Sequence, residues 1–190
     1  MRDVADASGL AESIRRCDPA SWAVLYDRYA PRMYRYVYRR VGDAACAEDL
    51  TSEVFLRLVQ AVRDGQEWNH SLEAWLYRVA HNLVVDYYRR RSGAVVQPLD
   101  ETAAAIEGNP VAATETALTN QRLRAALLQL TPEQQEVLVL RYGEGLTAKQ
   151  VGAVVDKTTG AVEALQRRGL AAIRRLLLAE PGGRGSWNAL

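Results

Sequence analysis

The chain has 190 residues, 48% of them apolar, and 24 Lys and Arg offset 23 Asp and Glu to a formal net charge of +1. This size and balance predict one or two compact domains, and a net charge near zero gives no global pull towards nucleic acid. No apolar run is long enough to span a bilayer, and Met1-Arg2-Asp3-Val4-Ala5-Asp6 lacks the basic-then-apolar order of a secretory signal, so a cytoplasmic protein with no membrane association is expected. Cys17 and Cys46 are far apart and outside any C-x-x-C pair, which argues against a disulfide or a zinc site. Charge is unevenly spread. Residues 1–92 hold fourteen Arg and thirteen acidic residues, residues 93–120 hold only acidic ones (Asp100, Glu101, Glu107, Glu115), and residues 121–190 hold ten basic against six acidic.

The pattern is helical throughout, with no convincing period-two strand and no Gly-rich phosphate loop. Ser8–Arg16 predicts a short helix. Asp18 or Ser21 opens the next, which runs to about Arg40 with Trp22, Leu25, Tyr26, Tyr29, Met33, Tyr36 and Val37 at helical spacing. Pro31 is expected to kink or interrupt it. Arg32, Arg35, Arg39 and Arg40 form a basic flank that a solvated face would explain. After Gly42-Asp43 a helix is predicted from Ala44 to Val62, lined by Leu50, Val54, Phe55, Leu58 and Val59. Glu48, Asp49, Ser52 and Glu53 gather at its start. Two readings stand: they complement the positive helix end, or they form a polar docking patch for a basic partner.

Arg63–Ser71 is a polar loop holding Trp68, Asn69 and His70, and Ser71 can cap the next helix. That helix carries Trp75, Leu76, Val79, Ala80, Leu83, Val84 and Tyr87 on its apolar stripe, and Arg78, His81, Asn82, Asp86, Arg89, Arg90 and Arg91 elsewhere. The period assigns Trp75 to the core. A helix with an Asn and a run of Arg can hold a phosphate backbone and read an unstacked base. His70 and His81 are too few and too isolated for a metal site.

Between Arg91 and Asn120 the periodicity lapses, and Gly93, Pro98, Gly108, Asn109 and Pro110 punctuate a small, acidic stretch that reads as a mobile linker. Helix resumes near Ala112–Thr116 and continues from Ala117 to Leu128. Thr131-Pro132 caps and starts another helix, Pro132–Tyr142, burying Val137, Leu138 and Leu140. Then come two helices and a tight turn. Thr147 caps the first, with Leu146, Val151, Val154 and Val155 on one face; Asp156-Lys157 breaks it; Thr158 or Thr159 caps the second, with Val162, Leu165, Gly169, Ile173 and Leu176 inward. Gly152 falls where two such helices approach. This order of cap, small residue, turn and cap fits a helix-turn-helix, and Thr158, Thr159, Glu163, Gln166, Arg167 and Arg168 on the outer face suit phosphates and base edges. An ordinary helical hairpin is the plainer alternative.

Four stretches, in order, resemble the extracytoplasmic-function (ECF) sigma factors of bacterial RNA polymerase. They are Leu25–Tyr29, Ala47–Leu56, Trp75–Arg90, and Leu130–Tyr142 with the helix-turn-helix. The resemblance covers most of residues 10–178. It implies an all-α chain of two small helical domains joined by a flexible linker: a sigma-two-like domain at 1–92, an acidic linker at 93–116, a sigma-four-like domain at 117–180 and a disordered tail at 181–190. It implies that Asp49, Ser52, Glu53 and Phe55 dock on core RNA polymerase. Trp68, Asn69, His70, Arg78, Asn82, Arg89, Arg90 and Arg91 would bind the promoter's −10 element. Lys157, Thr158, Thr159, Glu163, Gln166, Arg167 and Arg168 would bind the −35 element. Many relatives are held by an anti-sigma factor, so one is a candidate partner, though no residue here identifies it. Asp156 stands where the family's turn usually has Gly, Glu163 where a basic residue is common, and Cys46 where an acidic one is usual.

No cofactor, metal or enzymatic activity is expected, since no nucleophile, base or metal-ligand constellation appears. Two other classes compete. A stand-alone repressor or activator would need a dimerising surface that the sequence does not offer. A protein-binding adaptor would leave the Asn82–Arg91 cluster and the helix-turn-helix without a use.

Overall fold

A computed structural model describes residues 12–14, 16, 18–66, 71–92 and 113–179; among these there is no strand. Helix α1 (Pro19–Val41) starts because the Asp18 carboxylate accepts from the Ser21 N–H at 3.0 Å. Gly42 ends it in the left-handed region, at φ 68°, with its N–H on the Tyr38 carbonyl. The helix runs through Pro31 without interruption, so of the two expected outcomes, a kink or a break, the break does not occur. Proline removes one hydrogen bond, and Tyr29 and Met33, buried on either side of it, hold the two halves against the same core.

Helix α2 (Ala44–Arg63) is capped by Asp43, which accepts from the Cys46 N–H at 2.7 Å. Helix α3 (Leu72–Ser92) is capped by the Ser71 hydroxyl, which accepts from the Ala74 N–H at 3.1 Å. The three helices pack pairwise into the first domain. Its core is Leu25, Tyr29, Met33, Tyr36 and Val37 from α1, Val54 and Leu58 from α2, and Leu76, Ala80 and Val84 from α3. Trp75 packs partly buried against this cluster. Tyr26 does not follow the expected stripe and is 54% exposed.

The second domain comprises α4 (Ala113–Leu128), α5 (Pro132–Leu138), α6 (Ala148–Val155) and α7 (Thr159–Ala179). Helices α4, α5 and α6 each pack against α7. Helix α4 begins at Ala113, inside the stretch assigned to the linker but where helix was expected to resume, near Ala112–Thr116. Thr131 and Gln134 form a reciprocal capping box at the start of α5, as Thr147 and Gln150 do for α6. The helix expected to run to Tyr142 instead widens into a π turn at Val139–Gly143, where the Glu144 N–H reaches the Val139 carbonyl at 3.0 Å. This turn delivers Glu144 inward.

The two domains are packed together. Helix α3 lies against α6, and one buried cluster runs from Tyr36 and Tyr77 to Leu140, Leu146 and Val151. The seam is also ionic. Arg40, 5% exposed, donates from Nε to Glu136 Oε2 at 3.1 Å and from Nη2 to the same oxygen, while Nη1 donates to the Tyr36 carbonyl at 3.0 Å. The Tyr36 hydroxyl donates to Glu136 Oε1 at 2.8 Å. Glu144, 8% exposed, accepts from the Tyr77 hydroxyl and lies 3.4 Å from Arg39 Nη1, and its carbonyl accepts from Arg32 Nη2 at 2.8 Å. The basic flank read as a solvated face is therefore, at Arg32, Arg39 and Arg40, an interdomain contact. Burial alone would raise the Glu136 carboxyl, but Arg40 and His81 outweigh it and hold the group down at about 2. Burial, reinforced by Glu144, pushes the Tyr77 hydroxyl far up, so it stays a donor.

Candidate nucleic-acid and polymerase-docking surfaces

The helix-turn-helix forms as its sequence predicts. Helix α6 ends at Asp156 in the left-handed conformation, φ 53° and ψ 50°. The Lys157 N–H then bonds the Gly152 carbonyl at 2.9 Å. A Cβ at Gly152 would sit 2.5 Å from the Lys157 carbonyl oxygen, so only glycine permits this corner. The Thr158 hydroxyl accepts from the Ala161 N–H at 3.2 Å and starts α7.

Along α7, Val162 and Leu165 are buried and Gly169 rests on Leu138, where a Cβ would come within 3.0 Å of its Cδ1. The opposite side exposes Thr158, Thr159, Glu163, Arg167 and Arg168. Arg168 Nε donates to its own helix at the Ala164 carbonyl, at 3.3 Å. Two further predicted readers are engaged within the protein. Lys157 Nζ is 2.8 Å from Glu133 Oε1. Gln166 accepts from Arg141 Nε at 3.1 Å and donates to the Tyr142 hydroxyl at 2.8 Å. Arg141 and Tyr142 were not predicted as site residues. Both lie in the π turn, so no simple helical period brings them to Gln166.

On α3, Arg78 and Asn82 are one turn apart and both exposed, on a side away from the buried Leu76, Tyr77 and Ala80. Arg89 and Arg90 extend the exposed row, with Arg89 Nη2 at 3.0 Å from Asp86 Oδ1. Trp68, Asn69 and His70, and the Arg91 side chain, lie outside the described residues.

On α2, Asp49 and Ser52 are exposed, and Glu53 pairs with Arg57 at 2.9 Å. Phe55 is buried, with the Tyr26 ring centroid 4.9 Å from its own. The apolar surface beside Asp49 and Ser52 is thus supplied by Tyr26 and by Leu56, 64% exposed, with Phe55 as the support underneath. No group of three or more His, Cys, Asp or Glu among the described residues is arranged to hold a metal ion, and no helix among them is long and apolar enough to cross a membrane.

The Sigma-70 region 2 family model matches residues 25–93, and the Sigma-70 region 4 model matches residues 126–175. The chain is 35% identical over 179 residues to the ECF RNA polymerase sigma factor BldN of Streptomyces coelicolor, covering 92% of this chain and 67% of BldN. It is 34% identical over 160 residues to the ECF sigma factor SigE of Mycolicibacterium smegmatis, covering 83% of this chain and 62% of SigE. The chain belongs to the ECF RNA polymerase sigma factor family. The sigma factor RpoE of Bartonella quintana, solved in complex with the anti-sigma factor NepR, has the same fold, with a TM-score of 0.62 at 18% identity over 84% of this chain and 98% of that one.

Proposed function

We propose that this chain acts in the cytoplasm as a sigma factor, binding core RNA polymerase and directing it to promoters with −10 and −35 elements. The observation that carries this reading is the recognition helix: α7 buries Val162 and Leu165 and turns Thr158, Thr159, Glu163, Arg167 and Arg168 to solvent from a fixed corner. Those groups can enter a major groove, Arg167 and Arg168 taking phosphates or guanine edges and Glu163 a cytosine amino group. Arg78, Asn82, Arg89 and Arg90 on α3, with Arg91 and the loop residues Trp68, Asn69 and His70, serve the −10 element. There the bases are captured unstacked, at a cost of a few kcal/mol per flip that stacking and hydrogen bonding offset.

Docking falls to Asp49, Ser52 and Glu53 on α2, with Phe55 fixing the apolar ground beside them. The acidic linker follows the polymerase's basic RNA path, carboxylates standing in for phosphates. The linker also joins two weak grips into one, each raising the effective concentration of the other. An anti-sigma factor is the expected regulator, by analogy with NepR on RpoE. No covalent step, metal or cofactor enters. The test is transcription in vitro with purified core polymerase on a pool of genomic promoter fragments. Initiation at defined start sites, with protection of two elements, is expected; no initiation above core polymerase alone would refute it.

A further inference from the structure

Gln166 stands on the border of the recognition helix. Its neighbours one turn away on one side, Val162 and Gly169, are buried, and those on the other, Glu163 and Leu170, are exposed. Both ends of its side chain are occupied. Arginine can only donate, so the amide oxygen of Gln166 must be the atom that faces Arg141, and the amide nitrogen then faces the Tyr142 hydroxyl. Arg141 is itself fixed, because its Nη1 donates to the carbonyl of the buried Leu146. Reading an adenine takes the oxygen and the nitrogen of one amide together, and Gln166 would have to release both partners to do so.

Tyr142 is left with a proton to give. Its oxygen accepts from Gln166 Nε2 at 2.8 Å, and no acceptor among the described residues takes its own O–H. The ring is 60% exposed, yet its tip is tied to α7, so the donor is held in place before any DNA arrives. Size decides what it meets. An α-helix with its side chains is about 10–12 Å across and a major groove about 12 Å wide, so a recognition helix fills the groove that it enters. A group attached beyond the flank of that helix meets the groove's wall, which is sugar and phosphate, and not the base edges on its floor. Arg168, two positions after Gln166 and so about 200° further round the helix, faces the opposite wall.

We propose that Tyr142 is a further promoter-binding residue. Its hydroxyl donates to a backbone phosphate on the Glu163 side of the −35 element, and Gln166 is the positioning residue that holds it there. This rests on the sigma-factor reading. A phenol is uncharged, so the contact adds affinity without displacing a counterion, unlike a contact from Arg167 or Arg168. A phosphate contact also carries no base preference of its own.

The experiment uses the full chain assembled with core polymerase, and a duplex carrying the upstream element of a promoter that the transcription test selects. Tyr142→Phe removes one oxygen from an exposed ring. It is expected to weaken binding about threefold to tenfold, by the same factor for every single-base variant of the element, and to leave the log–log salt slope unchanged. Gln166→Met keeps the side chain's length without its amide. It should cost about as much, and should add little on top of Tyr142→Phe. Duplexes with single phosphates replaced by uncharged methylphosphonates then locate the contact. At one phosphate the unaltered chain should lose most of its advantage over Tyr142→Phe. The proposal is overturned by an advantage that is the same at every phosphate, which is what a purely structural role predicts. Full affinity in Tyr142→Phe, a loss confined to one base position, or single losses that simply add would overturn it too. If Gln166→Met does not fold, as judged by its melting curve, Tyr142→Phe and the phosphate scan decide alone. Should the unaltered chain with core polymerase select no promoter, the sigma-factor reading falls and this contact with it. A selected promoter on which Tyr142→Phe has no effect removes the Tyr142 contact only.

Discussion

Two of the corners where helices meet differ in material: one is apolar throughout, and the other sets charges beside its apolar contact. In the helix-turn-helix, α6 meets α7 through Val151, Val154, Val162 and Leu165, with Gly152 pressed on the Lys157 carbonyl. Between the domains, α1 and α3 meet the second domain through Arg40, Glu136, Tyr77 and Glu144 alongside the apolar contact. A dry apolar corner with a glycine-only approach has one geometry and loses surface burial if it opens. A charged seam has a second acceptable state, in water. The first suits a reader that keeps one shape, and the second ties two domains together through groups that water can also satisfy.

The largest effect is expected from breaking the seam on one side only. Arg40→Ala leaves Glu136 largely buried without its main counter-charge, and is expected to destabilise the packing of the two domains on each other by about 3–5 kcal/mol. The helix packing within the first domain should change much less, because Glu136 belongs to the second domain. Acid should act on the same group. Glu136 sits at about 2 in the packed protein against an ordinary 4.5, so its contribution is complete above about pH 4.5 and is lost as pH falls through about 2. That shift corresponds to roughly 3 kcal/mol, and hydrogen exchange across α3 and α6 from pH 5 down to pH 2.5 should show the progressive loss. At the other corner, Gly152→Ala puts a methyl against backbone that cannot retreat, and is expected to cost about 1–3 kcal/mol, read as a lower melting temperature. An unchanged melting temperature there would erase the contrast between the corners.

The same contrast decides what the sequence could reveal. Everything in the helix-turn-helix is local: Thr147, Gly152, Asp156 and Thr158 lie within twelve residues, and each acts on a backbone a few positions away. Capping and periodicity read such features directly. The family resemblance adds the docking and −10 assignments, which spacing alone leaves open. The seam is not local. Arg40 and Glu136 are separated by 96 positions, and a buried arginine at the end of a basic flank looks like any solvated one. Tyr77 falls one residue outside the stripe read for α3 because the helix is covered on two sides, by its own domain and by α6. The π turn that carries Arg141 to Gln166 and Glu144 to Tyr77 has no helical period to betray it.

On the DNA-reading face, effects should be smaller and dependent on salt. Arg167 is exposed on the outer side of α7. Arg167→Ala is expected to weaken binding to the upstream element by on the order of 1 kcal/mol and to flatten the log–log salt slope by about 1 if a phosphate contact is lost. Arg141→Ala removes one of the two bonds that hold Gln166, leaving the one to the Tyr142 hydroxyl, and also removes a bond to the Leu146 carbonyl. It should alter preference among −35 sequences more than the salt slope, as measured by competition between single-base variants.

The smallest effect tests whether the rigid corner is optimal. Asp156 holds φ 53°, where a side chain is strained and glycine is not. Glycine, however, also gains freedom in the unfolded chain, so Asp156→Gly should change stability by less than about 1 kcal/mol in either direction. Its carboxylate is exposed beside Lys157 and Thr158, next to the start of α7, where the proposed reading puts a phosphate. Removing that charge should tighten DNA binding at low salt, and the gain should vanish as screening increases. Asp156→Asn separates the causes, since asparagine also tolerates the left-handed region but carries no charge. Equal tightening by Asn and Gly, with melting temperatures unmoved, would assign the effect to charge. Tightening by Gly alone would mean that the corner, and not the field around it, limits how α7 meets DNA.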